Sequence, residues 1–196
     1  MRIVLRIGGS VVASPANPVL IDKYADLLME LKRKGNEVAV VVGGGKLARE
    51  FISIARDLGL DQRSQDDVAI SVSRLFAQLL LKKLGKTSCE TVSLTVEAAA
   101  ECLAKGKIAV MGGLEPGMTT DAVAALVAQR VNADLLVKAT DQDGVYNKDP
   151  RKYPDAVLVK RLSFKELSNV FAENQHKAGI HQILDPEAVK ILQRGR

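Results

Sequence analysis

The stretch EVAVVVGGGKLAREF, Glu37 to Phe51, decides the architecture. Glu37 to Val42 is apolar on both alternations after its first residue, the mark of a strand buried on both faces. Gly43-Gly44-Gly45 follows at once. Leu47, Phe51, Ile54, Ala55 and Leu58 then recur at helical spacing until Gly59 stops the pattern. Strand, glycine turn and amphipathic helix form one unit, and similar units lie on either side.

Upstream, Arg2 to Ile7 (RIVLRI) reads as a buried strand followed by Gly8-Gly9-Ser10. Asn17 and Pro18 open a helix as N-cap and first residue, with Leu20, Tyr24, Leu27, Leu28 and Leu31 on one face and Gly35 as its stop. Downstream, a long helix is expected from about Ser64 to Leu84, with Val68, Val72, Leu75, Phe76 and Leu79 as its stripe, ending at Gly85. Cys89 to Ser93 is a weak short strand, Val96 to Lys105 an Ala-rich helix and Lys107 to Met111 a third clear strand. The loop GGLEPGMTT leads into a helix from Asp121 to about Val131, and Asp134 to Lys138 is a fourth buried strand. A turn-rich stretch runs to Pro154. A strand near Val157 to Lys160, a helix opened by the capping box Ser163-x-x-Glu166, and a helix begun by Asp185-Pro186 complete the order. This alternation predicts a three-layer α-β-α sandwich with a mainly parallel central sheet.

The 196 residues fit a single domain, and 47% hydrophobic with 26% charged residues excludes a disordered chain. Aromatics are 4% and Trp is absent, which argues against an aromatic platform for stacked bases. Mean hydropathy is +0.05, and no apolar run approaches the ~20 residues of a membrane helix. The N-terminus is too soon broken by Arg6 and glycines to be a signal peptide, so a cytoplasmic protein without a membrane partner is expected. Cys89 and Cys102 lack C-x-x-C spacing and read as two reduced thiols. The net charge of +5 is scattered over Lys32-Arg33-Lys34, Lys82-Lys83 and Lys148 to Lys152. The first two clusters close helices, where cations complement the dipole. The balance therefore suits phosphorylated metabolites rather than nucleic acid.

Parallel sheets bind ligands beyond the carboxyl ends of their strands. Three strands here end in glycines: Gly8-Gly9, Gly43 to Gly45, and Gly112-Gly113 with Gly117 beyond. Glycine lets backbone approach a ligand, and exposed N–H groups at helix starts favour phosphate oxygens. Neither a Walker A loop nor G-x-G-x-x-G occurs. Near these loops stand Arg6, Arg49, Thr119-Thr120-Asp121, and past the fourth strand Thr140, Asp141 and Asp143. Thr120 or Asp121 serves equally well as a plain N-cap, and Asp143-Gly144 and Asp149-Pro150 as plain turns. Arg6 is the exception, because a charge within an apolar strand is costly unless paired. His176 and His181 are poorly spaced for a metal, and no nucleophile elbow occurs.

Six stretches carry a resemblance: IGGS (7–10), VVGGGKLAREFI (41–52), MGGLEPGMTTDAVAALVA (111–128), VKATDQDGVYNKDP (137–150), HKAG (176–179) and LDPEAVKI (184–191). With them the chain resembles the amino acid kinase family and, within it, the archaeal-type uridylate (UMP) kinases. The resemblance implies transfer of the ATP γ-phosphate to UMP, with Mg²⁺ accompanying ATP. It places ATP on Gly9, Ser10, Gly45 and Arg49, and on Thr140, Tyr146 and Asp149. It places UMP at Gly44 and Asp66 and along Leu114, Glu115, Pro116, Gly117, Met118, Thr119 and Thr120. Arg6 stands where the wider family often has Lys, and it and Asp143 are the candidate catalytic residues. One domain is implied, serving mainly the acceptor in its N-terminal part and mainly ATP over about 134–196. A homo-oligomer is also implied, a hexamer built as a trimer of dimers. In the family, a helix like LDPEAVKIL is followed by a further strand and helix. This sequence stops at Arg196, so that C-terminal pair is expected to be absent. The alternatives are a kinase of the same fold for another small phosphate or carboxylate acceptor, or a non-catalytic nucleotide- or oxyanion-binding protein. An isopentenyl phosphate kinase is disfavoured, because GGGKLAREF lacks the His those enzymes carry there.

Overall fold

β1 (Arg2–Ile7) is flanked on both sides by strands running its own way. The computed structural model describes residues 1–9, 17–141, 143–148, 153–167 and 185–194. β2 (Glu37–Val42) pairs along the whole of β1, from Arg2 opposite Glu37 to Ile7 opposite Val42. β4 (Leu135–Ala139) takes the other side, and β3 (Ala109–Met111) extends β2 outward. The order β3-β2-β1-β4 is parallel throughout, so every carboxyl end leaves the same rim.

Strand alternation divides the core into two layers. Leu5, Ile7, Val38, Val40, Val42 and Val110 pack against α1 (Pro18–Arg33) and α3 (Gln62–Leu84) through Leu28, Phe76 and Leu80. Val4, Ala39, Val41, Ala109 and Met111 pack against α4 (Val96–Ala104) and α5 (Thr120–Arg130) through Ala99, Leu103, Val123 and Val127. α6 (Pro186–Arg194) docks on α5 through Ala188 and Ile191. The fold is the α-β-α sandwich that the alternation predicts. The caps also stand where the sequence placed them. Asn17 Oδ1 accepts the N–H groups of Val19 and Leu20 at 3.1 and 3.2 Å. Ser163 and Glu166 exchange bonds as a capping box, Ser163 N–H donating at 2.7 Å and Glu166 N–H at 3.2 Å.

Besides β4, which the sequence read as buried but which ends the strand order with Leu135 and Val137 exposed, four features differ from the sequence reading. The stripe of α2 (Gly45–Asp57) is core only in part: Leu47 packs against the core and Ala55 is buried, but Phe51 and Ile54 are exposed and Leu58 beyond its end is 72% exposed. α2 lies on α3 rather than on the sheet, and the small residues make that contact. Leu75 and Leu79 of α3 are likewise exposed, beside buried Val72 and Phe76. Next, Cys89 to Ser93 and Val157 to Lys160 are not strands. The first region contributes isolated parallel bridges, Ser88 to Ile108 and Ser93 to Met111, and the second an antiparallel one from Tyr146 to Leu158. Third, Thr119 rather than Thr120 or Asp121 is the N-cap of α5, its Oγ1 accepting Ala122 N–H at 3.1 Å. Fourth, the cysteines are not free. Cys89 on the edge segment and Cys102 on α4 are joined as a disulfide, because α4 folds back over the segment that leads to it. Spacing in the sequence carried no sign of that fold-back. His176 and His181 lie outside the described residues, and among those described no helix is long and apolar enough to cross a membrane.

The disulfide joins residues 13 apart. Closing a loop of that size contributes about 3 kcal/mol in the chain-entropy account. Reduction by a dithiol, or Cys89→Ser, is expected to lower the thermal midpoint by roughly 6–12 °C for a domain of this length. An unchanged midpoint in scanning calorimetry would mean that packing alone holds the segment.

Candidate functional site

The shared rim brings the glycine loops together, and their closeness explains the glycines. A Cβ on Gly9 would stand 1.9 Å from the Gly45 nitrogen, and one on Gly43 would stand 2.9 Å from the Gly9 nitrogen. The loops after β1 and β2 therefore touch backbone to backbone, which no side chain would permit. The third loop is held by α3. A Cβ on Gly112 would meet Arg74 backbone at 2.8 Å. Buried Ser73 Oγ accepts Gly113 N–H at 2.7 Å, and Arg74 donates to the carbonyls of Gly113 and Leu114 at 3.0 Å each. Two turns earlier, Asp66 Oδ2 accepts Gly117 N–H at 2.8 Å.

These elements enclose a cavity of 520 Å³. Its wall includes the start of α2, where Gly44 is the N-cap and supplies no side-chain acceptor. The first-turn N–H groups there are suited to an anion. Arg6 and Arg49 line the cavity with Asp66 and Glu115. A larger cavity of 1160 Å³ lies at the β3 edge beside the disulfide, among Lys86, Glu90, Glu101 and Lys107, away from the glycine loops.

Beside the glycine cavity lies a buried charge cluster. Arg6 Nε is 2.7 Å from Asp121 Oδ1, and Arg6 NH2 donates to Thr120 Oγ1 at 3.0 Å. The Nε and Oδ1 atoms meet as charges, without hydrogen-bond alignment. Lys138 Nζ reaches the other oxygen of the same carboxylate at 2.6 Å. Burial draws the pKa of Arg6 below its ordinary value, and Asp121 opposes that fall. Burial does the same to Lys138, again against Asp121. Thr119 Oγ1 donates to Asp185 Oδ2 at 2.6 Å and so ties the start of α5 to the residue before α6.

Of the residues nominated from sequence, Arg6, Gly9, Gly44, Gly45, Arg49, Asp66, Glu115, Gly117, Met118, Thr119 and Thr120 line this one cavity. Leu114 turns instead to the core, and neither it nor Pro116 lines the cavity. Thr140, Asp143 and Tyr146 form a separate group past β4. Asp143 is exposed, its carboxylate 3.5 Å from Tyr146 Oη, and the structure does not bring it to Arg6. Ser10 and Asp149 lie outside the described residues. Sequence reasoning missed Ser73, Arg74 and Lys138, and it weighed Asp121 only as a cap. Lys138 carried the same signal as Arg6, a cation within an apolar strand. Ser73 and Arg74 carried none, since their partners are backbone groups about 40 residues away. Among the described residues, no three His, Cys, Asp or Glu side chains gather as a metal site.

Residues 1–196 match the amino acid kinase family. The chain is 46% identical to the uridylate kinase of Methanocaldococcus jannaschii, over 100% of this chain and 88% of that protein. It is 44% identical to the uridylate kinase of Methanococcoides burtonii, over 99% of this chain and 82% of that protein. Its structure matches the crystal structure of uridylate kinase from Archaeoglobus fulgidus with a TM-score of 0.88 and 37% identity, covering 100% of this chain and 87% of that one.

The closeness of the two loops makes Gly9 the most sensitive position. Gly9→Ala is expected to force them apart and weaken pyrophosphate binding by about tenfold or more, equivalent to roughly 1.4 kcal/mol, with helix content retained. Titration calorimetry alongside circular dichroism checks this, and wild-type affinity would show that the contact is dispensable.

Proposed function

The chain belongs to the amino acid kinase family, and on that footing we propose that it transfers the γ-phosphate of ATP to UMP, giving UDP and ADP. The observation that carries the assignment is one cavity formed by two touching glycine loops, an uncapped helix start and Arg6, in a chain 46% identical to a uridylate kinase over its full length. The acceptor is already an anion, since a phosphate monoester has its second pKa at about 6. It needs no general base. The chemical task is to hold two anions in line and to neutralise the charge that spreads over the transferring group.

The parts are disposed for that task. UMP is assigned to the cavity between α2, α3 and the 112–120 loop, its phosphate at Gly44 and the uncapped start of α2. Asp66 both lines this space and fixes Gly117, so the UMP contact and the loop clamp are one carboxylate. ATP is assigned to Gly9, Ser10, Gly45 and Arg49 at the junction of the two loops, and to Thr140, Tyr146 and Asp149 past β4. Arg6, beneath the junction, supplies fixed positive charge. Mg²⁺ is expected to arrive on the ATP phosphates and to keep much of its water, adding charge neutralisation there. The N-terminal part serves mainly the acceptor and about 134–196 mainly ATP, within one domain. The place of the reaction is cytoplasmic pyrimidine nucleotide biosynthesis. The exposed apolar residues of α2 and α3, Phe51, Ile54, Leu75 and Leu79, support a homo-oligomer, for which the family resemblance implies a hexamer as a trimer of dimers.

A coupled ADP-release assay with UMP, CMP, AMP and isopentenyl phosphate tests the assignment. Turnover with UMP well above the others is expected, preference for another acceptor would replace UMP, and ADP release with none would leave a binding protein. Arg6→Ala is expected to lower kcat on the order of 10²-fold with a smaller change in KM for UMP. Wild-type turnover in that variant would remove Arg6 from the reaction. Asp66→Ala is expected to raise KM for UMP, and an unchanged KM would count against its role.

A further inference from the structure

Arg6 and Asp121 by themselves form a neutral pair, and a neutral pair offers little to an incoming phosphate. The sheet supplies a third charge. β1 and β4 run in parallel with Arg6 directly opposite Lys138, so both side chains rise at the same level from neighbouring strands. Both end on the carboxylate of Asp121, from opposite oxygens, at 2.7 and 2.6 Å. The side chains of Arg6 and Lys138 are each 17% exposed and that of Asp121 9%, so water screens the three weakly. The other carboxylate acting on Lys138 is Asp185, whose Oδ2 is engaged by Thr119 Oγ1 at 2.6 Å.

The two cations are not equivalent. Arg6 lines the glycine cavity and holds Thr120 Oγ1, also on its wall, with NH2. Lys138 does not line that cavity. It reaches the cavity's Arg6 through the carboxylate they share, Asp121. Were Lys138 uncharged, Asp121 Oδ2 would be left with the long bond from Asp185 N–H at 3.4 Å, and a two-toothed Arg–carboxylate grip is the geometry such pairs prefer. Arg6 would then turn from Thr120 towards Asp121, and its charge would be cancelled where it is needed.

We propose that Lys138 is a positioning residue for phosphoryl transfer: by occupying one oxygen of Asp121 it keeps the Arg6 guanidinium on Thr120, with its charge turned towards the glycine cavity. This rests on the UMP kinase assignment and adds to it a dependence of Arg6 on a residue of the neighbouring strand.

The test is Lys138→Met, which keeps length and removes charge, in steady-state kinetics with ATP and UMP. A fall in kcat of about tenfold or more is expected, with KM for UMP within about threefold of wild type, and Lys138→Arg restoring most of the turnover. In an Arg6→Ala background the same substitution is expected to cost nothing further. Undiminished kcat in Lys138→Met would overturn the proposal, as would a full additional loss in the Arg6→Ala background. If Lys138→Met does not fold, Lys138→Gln is read in the same way. A wild-type protein inert towards UMP would overturn the functional assignment itself, and this inference with it.

Discussion

The contact between Gly9 and Gly45 is the constraint on which the site depends. Two backbone segments from neighbouring strands can meet this closely only because Gly9 carries no Cβ, while Gly45 holds a positive φ of 60° that favours glycine. Their meeting is in turn a consequence of sheet order. β1 and β2 are adjacent and parallel, so their carboxyl-end loops issue side by side. A different strand order with the same loops would have scattered the N–H groups over the rim. Everything else at the site is arranged around this junction. α3 fixes the third loop with Ser73, Arg74 and Asp66, and β1 delivers Arg6 beneath it.

How much of this was legible in the sequence follows from the range of the interactions. Local signals were read well. Asn17 and Ser163 cap helices because a side-chain oxygen satisfies N–H groups two or three residues on, and such partners are visible in any short window. Runs such as Glu37 to Val42 declare burial on both faces, and glycines after strands declare close approach. The long-range half was not legible. Phe51 and Ile54 have helical spacing, but periodicity says that a helix has an apolar face and not what covers it. Cys89 and Cys102 pair because α4 turns back on the sheet edge, which no spacing rule encodes. Asp121 looked like a cap because it sits at a helix start. The cations that give it another role come from two strands, 115 and 17 residues away in the chain.

The charge cluster also gives the fold a stake in the chemistry. Two buried cations on one carboxylate would be a poor choice for stability alone, since such groups cost several kcal/mol to desolvate and an apolar set of similar volume serves as well or better. Burial disfavours the charged forms of both Arg6 and Lys138, and Asp121 offsets that in each case. An arrangement so costly accords with the proposed need for fixed charge beside the cavity. A phosphoryl group in transfer presents charge on its equatorial oxygens and asks for stabilisation that does not have to reorganise.

The central claim is that the touching loops grip two phosphorylated ligands tail to tail across a single junction. Titration calorimetry with a bisubstrate compound, uridine and adenosine joined through a polyphosphate chain, tests it most directly. One compound bound per chain, more tightly than either UMP or ATP alone, is the result expected of adjoining phosphate sites. Binding no tighter than that of the better single nucleotide would place the two phosphates apart and contradict the account.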